Sequence, residues 1–134
     1  MPRLSVWMLR SSLLALLVGT GLGAWLLGTE PAYDTARAGL REMHLTLLLF
    51  GWLVQFVLGV AYWMLPRYPT APDRGPVWLG WTAYAGFTLG LVFGFLGRLA
   101  PLGNLGSSGR LLLAGATFGF LLLLWGRAKP FGTP

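Results

Sequence analysis

The sequence predicts an all-α fold, an integral membrane four-helix bundle formed by a single domain over residues 1–134. Of its residues, 55% are hydrophobic and only 10% are charged, and the mean hydropathy is +0.66, whereas soluble domains carry about 25% charged residues. Four apolar segments are long enough to span a bilayer core of about 30 Å, which needs about 20 helical residues. They cover residues 9–27, 40–65, 77–99 and 111–125. No strand pattern competes, and unpaired strands cannot lie in lipid.

Polar stretches rich in glycine and proline separate the four segments, and local signals mark their ends. In the first segment, Arg3 and Arg10 precede the apolar run, as positive residues do in a signal peptide. It has no small-residue cleavage site and is longer than a usual signal core, so we expect a retained helix. Pro76 suits the first turn of the third helix. Ser107 and Ser108 are candidate caps of the fourth helix, which would then cover about 109–126.

The Lys and Arg residues of the short loops predict the orientation of the bundle. With both termini in the cytoplasm (N-in/C-in), the inner side carries six of these residues and the outer side carries four. The sequence therefore predicts a multi-pass protein of a bacterial cytoplasmic membrane, in which the second helix begins at the outer, periplasmic face. The inner residues are Arg3, Arg10, Arg67, Arg74, Arg127 and Lys129, and the outer ones are Arg37, Arg41, Arg98 and Arg110.

Glycines spaced four residues apart recur in three of the four segments. Small residues at this spacing form a groove that lets two helices approach closely. We expect them to serve close packing within the bundle, with contact between subunits as the alternative. The sets are Gly19 with Gly23, Gly86 with Gly90 and Gly94, and Gly115 with Gly119.

The composition excludes several classes of function. The chain has no cysteine, which rules out disulfides, thiolate metal sites and cysteine nucleophiles. One histidine and four carboxylates, which we place in loops, make a zinc site with three protein ligands a poor interpretation. The serines lack the Gly-x-Ser-x-Gly context of a nucleophile. The Lys and Arg residues are scattered and form no stripe for nucleic acid.

The second segment carries the only histidine, His44, near its N-terminal end. At about 100° per residue, Gly51, Gln55 and Tyr62 fall within about 20° of His44, and Leu48 lies close by. An ionisable side chain in a membrane segment indicates a functional site by default. The alternatives are a hydrogen bond of His44 at the headgroup level, a contact of Gln55 with another helix, and an aromatic belt for Tyr62.

A haem iron needs only one or two axial ligands, and helices rich in Phe, Leu and Trp can enclose it. His44 is the candidate axial ligand of the iron. Gly51 would leave flat room for one face of the porphyrin. Arg41, Arg98 and Arg110 lie at the outer end and are candidates to pair with the haem propionates; the alternative is that they are ordinary loop charges.

The stretch HLTLLLFGWLVQFVLGVAYWMLPR, which begins at His44, resembles the second helix of subunit I of the haem–copper oxidases. It looks still closer to small four-helix bacterial membrane proteins that resemble the helix I–II region of that subunit. The resemblance covers the second helix strongly and the order of the helices weakly, and it implies that His44 binds a haem on the outer side. The matching residues are His44, Phe50, Gly51, Trp52, Gly59, Ala61, Trp63, Leu65, Pro66 and Arg67.

The chain also departs from that family. Subunit I has twelve helices and further histidines for a second haem and a copper, so reduction of oxygen by this chain alone is excluded. A haem with two histidine ligands needs two chains, and we expect a homodimer that shares one haem b between two copies of His44. The alternatives are a His/Met pair, for which Met43, Met8 and Met64 are poorly placed, and a five-coordinate haem open to a diatomic gas.

The predicted function is therefore haem b binding for electron transfer or for sensing of NO or O2, with a respiratory redox partner. The first alternative is a cofactor-free assembly or interaction subunit of a respiratory complex. The second is a small-solute carrier or channel, which the lack of a second intramembrane charge disfavours.

Overall fold

A computed structural model of the chain describes residues 1–29, 35–69, 72–99 and 103–128. Within these residues the fold is all-helical. The helices are α1 (Arg3–Gly28), α2 (Thr35–Thr46), the π-helix π1 (Leu47–Val54), α3 (Gln55–Met64), α4 (Val77–Leu99) and α5 (Leu105–Trp125). Because α2, π1 and α3 follow one another without a break, they form one long second span. Four helices are long and apolar enough to cross a membrane: Arg3–Gly28, Arg37–Met64, Val77–Arg98 and Leu105–Trp125.

Three of the four helices begin earlier than the sequence predicted. α1 starts at Arg3 rather than at residue 9, because Arg10 can lie exposed on the helix surface without ending the helix. The fourth helix starts at Leu105, so Ser107 and Ser108 lie inside its first turn rather than at the cap. The hydroxyl of Ser108 instead donates back to the Asn104 carbonyl at 3.1 Å. Hydropathy marks the apolar core of a helix and misses its polar first turn.

The π-helix sets which face of the second span is buried. In an α-helix, side chains four residues apart drift by about 40° around the axis. The i→i+5 hydrogen bonds of a π-helix give a wider turn, which compensates this drift. Buried positions therefore recur at every fourth residue, and His44 lies half-buried at the edge of this row. The row consists of Met43, Leu47, Gly51, Gln55 and Gly59.

α1 packs antiparallel against the second span and fills the whole length of this row. Successive contacts are about one helical turn apart on both helices and form a ladder. In most of them a small residue of one helix meets a larger residue of the other. From one end to the other they pair Gly23 with His44, Gly19 with Leu48, Ala15 with Gly51, Ser11 with Gln55, and Met8 with Gly59.

α4 and α5 form a second antiparallel hairpin in which glycines bring the two backbones into contact. A Cβ on Gly97 would lie 2.5 Å from the backbone nitrogen of Gly106. A Cβ on Gly109 would lie 2.7 Å from the nitrogen of Gly94 and 2.8 Å from the carbonyl oxygen of Gly90. Backbone atoms cannot move aside as side chains can, so this interface requires glycine.

The spaced glycines thus serve packing within the bundle at most positions. A Cβ on Gly86 would lie 3.2 Å from the Cβ of Ala116, and one on Gly119 would lie 3.4 Å from the Cβ of Ala83. A Cβ on Gly94 or on Gly115 would meet nothing within 4 Å, although the backbone of Gly94 faces Gly109. The Cβ position of Gly115 is therefore open.

At one end of the bundle, here called the terminal end, α1 and α4 begin and α3 and α5 end. At this end Arg127 caps the second span. The side chain is 1% exposed. Its Nε donates to the Pro66 carbonyl at 2.9 Å, and its Nη2 donates to the carbonyls of Leu65 at 2.8 Å and Tyr62 at 3.0 Å. The guanidinium also lies 5.3 Å from the centre of the Tyr62 ring, a cation–π contact. Because the last carbonyls of a helix lack partners within it, Arg127 ties the end of α3 to the end of α5.

Candidate functional site

The imidazole of His44 lies in the groove that Gly19 and Gly23 form on α1. A Cβ on Gly23 would lie 2.5 Å from Cε1 and 2.9 Å from Nδ1 of the ring. The Nδ1 atom is 2.7 Å from the carbonyl oxygen of Gly19. The first G-x-x-x-G motif therefore holds the one imidazole of the chain, and only glycine at position 23 leaves room for it in this orientation.

The hydrogen bond to Gly19 fixes which ring nitrogen carries the proton. A carbonyl oxygen only accepts hydrogen bonds, so Nδ1 of His44 is the donor, and in the neutral ring Nε2 keeps a lone pair. Within the described residues no hydrogen bond to Nε2 is found. Metal-binding histidines commonly donate their second ring N–H to a backbone carbonyl, which orients the ring and raises its basicity. The residue as a whole is half-buried, and Nε2 would lie 3.2 Å from a Cβ on Gly23, next to the α1 groove.

The interior side of the predicted stripe is occupied by α1. A Cβ on Gly51 would lie 2.8 Å from the Cβ of Ala15, so Gly51 does not leave the expected room for a porphyrin face. Gln55 is 1% exposed and donates from Nε2 to the hydroxyl oxygen of Ser11 at 2.7 Å. This is the interhelical contact that the sequence offered as the alternative for Gln55. Both residues hold the helices together and are not open to a cofactor from the lipid side.

Two further members of the stripe also contact other helices. Leu48 packs against Gly19, where a Cβ would lie 2.9 Å from its Cδ2 atom. Tyr62 is 2% exposed and joins the apolar core near the terminal end, so it does not belong to an aromatic belt. Met43 is 3% exposed and packs with Ala15 and Leu47. Its thioether lies in the interior, away from the half-buried edge at His44, which disfavours a His/Met pair within one chain.

Arg98 and Arg110 both contact the carboxylate of Glu42, which lies in a helix and not in a loop. We expected all four carboxylates in loops, yet Glu42 lies in α2. Its Oε1 forms an ion pair with Arg98 and lies 3.6 Å from Nη1 of Arg110. Gly39 and Gly106 leave the space that the Arg98 side chain occupies, with a Cβ at 3.2 Å and 3.0 Å from it. The two arginines thus already have an anionic partner, which competes with the expected haem propionates.

The other two arginines of this end differ in their contacts. Arg37 donates to the hydroxyl and the carbonyl of Thr29, each at 3.0 Å, and to the Leu26 carbonyl, and so closes the C-terminal end of α1. Arg41 is exposed, and within the described residues no ion pair or hydrogen bond of its side chain is found. It lies three residues before His44 on α2, where side chains are neighbours. Arg41 is therefore the predicted propionate partner that remains available.

The arrangement supplies one half-buried imidazole per chain, oriented by α1, beside one available cation. Among the described residues, no three His, Cys, Asp or Glu side chains come together as a metal-binding group. Leu45 and Leu49 on the same span are exposed and provide apolar surface close to His44 in sequence.

No protein-family model, curated protein or solved structure matches the chain.

Proposed function

We propose that this is an integral protein of a bacterial cytoplasmic membrane, with both termini in the cytoplasm, which binds haem b through His44. Four helices of spanning length and the excess of Lys and Arg at the terminal end support the membrane topology. The observation that carries the haem assignment is the 2.7 Å hydrogen bond from His44 Nδ1 to Gly19, since it leaves Nε2 as an oriented ligand atom.

The packing of α1 supports a haem that is shared between two chains. The contacts of Gly51 with Ala15 and of Leu48 with Gly19 fill the interface between α1 and the second span, so a porphyrin does not fit there. His44 itself is only half-buried beside this interface. A homodimer in which two His44 side chains approach one iron from opposite faces satisfies both axial positions with the one histidine that each chain has.

The residues of the chain would then have distinct tasks toward the haem. Gly19 and Gly23 orient the imidazole, Leu45 supplies apolar surface, and Arg41 pairs with a propionate. When bound, the haem supplies a one-electron iron centre whose potential the protein tunes through its ligand and its surroundings. Two histidine ligands occupy both faces of the iron, which favours electron transfer with a respiratory partner over the binding of a gas.

The test is a reduced-minus-oxidised optical spectrum of the detergent-purified protein from haem-replete cells. We expect sharp α and β bands, a Soret band, one haem per two chains, and no new species when carbon monoxide is added. His44→Ala should abolish these bands. Thr46→Ala, two residues along the same helix, should retain them.

Two outcomes would contradict the proposal in different ways. A wild-type protein without a Soret band would refute haem binding and favour the assembly or interaction subunit, with His44 an interfacial residue; co-purification with an oxidase or reductase would then be insensitive to His44→Ala. A spectrum with one haem per chain that shifts with carbon monoxide would establish an open, five-coordinate haem and refute the shared ligation.

A further inference from the structure

The terminal end contains two guanidinium groups with donor atoms that the protein does not satisfy. Arg127 is 1% exposed, and although Nε and Nη2 bind carbonyls, its Nη1 is buried without a hydrogen-bond partner in the described part of the chain. The same holds for Nε of Arg74, whose side chain is 16% exposed. Buried polar groups are nearly always paired, and an unpaired charged donor is costly. Two such donors from two arginines indicate a missing acceptor.

The charges of the two arginines act on each other, and the nearby carboxylate is only weakly engaged. Burial lowers the pKa of Arg127 below the ordinary arginine value, and the positive charge of Arg74 is a further cause in the same direction. Asp73 lies 3.5 Å from Nη1 of Arg74 and 3.7 Å from Nη1 of Arg67, and its side chain is half exposed. One exposed carboxylate shared at these distances leaves an excess of positive charge at this point.

Tyr68 borders the same site. A Cβ on Gly126 would lie 2.5 Å from the Tyr68 hydroxyl oxygen, so the phenol rests against the backbone next to Arg127. The Tyr68 N–H donates to the carbonyl of Asp73, the residue before Arg74, at 2.7 Å. Tyr68 therefore links the backbone beside Arg74 to the backbone beside Arg127.

The depth of the site identifies the anion that is available to it. Arg127 directly follows the fourth span, and Arg74 lies just before the third. Five of the seven tryptophans are exposed near this end, as expected for an aromatic belt at the level of the lipid headgroups. At this level the abundant anion is the phosphate of a phospholipid. The tryptophans are Trp7, Trp63, Trp78, Trp81 and Trp125.

We propose that Arg74 and Arg127, with Tyr68 at the rim, bind the phosphate of an anionic phospholipid headgroup at the terminal end of the bundle. Guanidinium groups present several planar donors that match phosphate oxygens. Because both donor atoms are covered in this structure, the guanidinium groups would shift on binding. The lipid phosphate would then accept from Arg74 Nε and Arg127 Nη1 and would offset the excess positive charge. Since Arg127 also joins α3 to α5, the bound lipid would stabilise the contact between the two hairpins.

The experiment compares lipid retention and thermal unfolding in nanodiscs. The purified full chain is placed in discs of equal parts phosphatidylcholine and phosphatidylglycerol, or of phosphatidylcholine alone. Arg74→Gln is the test variant, because Arg127→Gln would also remove the cap of α3. Arg67→Gln is the matched control, because it removes the same charge from the same loop and its side chain is 64% exposed.

We expect wild type and Arg67→Gln to retain severalfold more phosphatidylglycerol than phosphatidylcholine after detergent extraction, and to unfold at a higher temperature in the mixed discs. Arg74→Gln should retain the two lipids equally and show no shift. If Arg67→Gln and Arg74→Gln lost the selective retention of phosphatidylglycerol equally, surface charge alone would explain the effect, and the proposal would be overturned. Inorganic phosphate reproducing the shift in phosphatidylcholine discs would also overturn it, since that result would establish a site for the free anion.

Discussion

Substitution of Gly23 by alanine directly tests the position of the His44 imidazole against α1. The new methyl group would lie 2.5 Å from Cε1 and 2.9 Å from Nδ1 of His44, whereas carbon atoms in contact lie about 3.5–4.0 Å apart. The ring must therefore move by about 1 Å, which breaks the hydrogen bond to the Gly19 carbonyl. Such a bond contributes about 0.5–1.5 kcal/mol, and strain in a packed site adds about 1–3 kcal/mol where the ring cannot swing away.

Gly21→Ala is the matched control, because it lies two residues from both Gly19 and Gly23 on the same helix and its Cβ would meet nothing within 4 Å. Both substitutions gain the higher helix propensity of alanine, up to about 1 kcal/mol, so this term cancels in their difference. We expect Gly23→Ala to be less stable than Gly21→Ala by about 1–2 kcal/mol, since the half-buried ring can partly move outward. The free energy of unfolding is measured in mixed micelles with increasing SDS, by circular dichroism.

The same pair of variants in a His44→Ala background isolates the cause. Without the imidazole the methyl group on residue 23 meets no ring, so the two alanine variants should agree within about 0.5 kcal/mol. An undiminished difference in that background would refute the assignment of the groove to His44. In haem-loaded protein, Gly23→Ala should also lower the haem content while Gly21→Ala retains it.

Three further predictions concern the contacts that hold the bundle together. Gly97→Ala forces a methyl group into the backbone of α5 and should destabilise the protein by about 2 kcal/mol or more, while Gly115→Ala, which faces open space, should be neutral or slightly stabilising in the same unfolding assay. Gln55→Leu removes the hydrogen bond to Ser11; a double-mutant cycle of the two should give a coupling of about 0.6 kcal/mol and at most about 1.7. Glu42→Gln removes an ion pair at a partly exposed site and should cost at most about 1 kcal/mol, an effect that shrinks as salt is added.

The four spans could be predicted from the sequence because an apolar run of spanning length is a local property of the chain. The glycine motif that receives His44 could also be recognised, since small residues at this spacing form a groove whatever the partner is. What fills the groove could not be predicted, because this depends on the register between α1 and the second span. Hydropathy fixes neither the register nor the π-helix that aligns Gly51 and Gln55 with Met43 in the buried row and leaves His44 at its edge.

Charged residues show the same limit more sharply. A single arginine after a membrane segment is typical of a loop anchor, and Arg127 has that pattern in the sequence. Only the arrangement of α3 beside α5 shows that it binds three carbonyls of another span. Glu42 likewise forms ion pairs with two arginines because the second, third and fourth spans meet at one end. These contacts depend on which helices become neighbours, a property that no local pattern contains.

Under the proposed function, the packing of α1 would also link haem binding to assembly. If His44 faced a cavity within one chain, haem affinity would be independent of protein concentration. In the described part of the chain, the ladder of contacts from Gly23 to Gly59 fills the interface of α1 with the second span, and His44 is half-buried beside it. A haem shared by two copies of His44 would belong to the dimer alone, so it would stabilise the dimer by mass action, and dilution in detergent would favour loss of both together. The cofactor site of the chain would then depend on its association with a second copy.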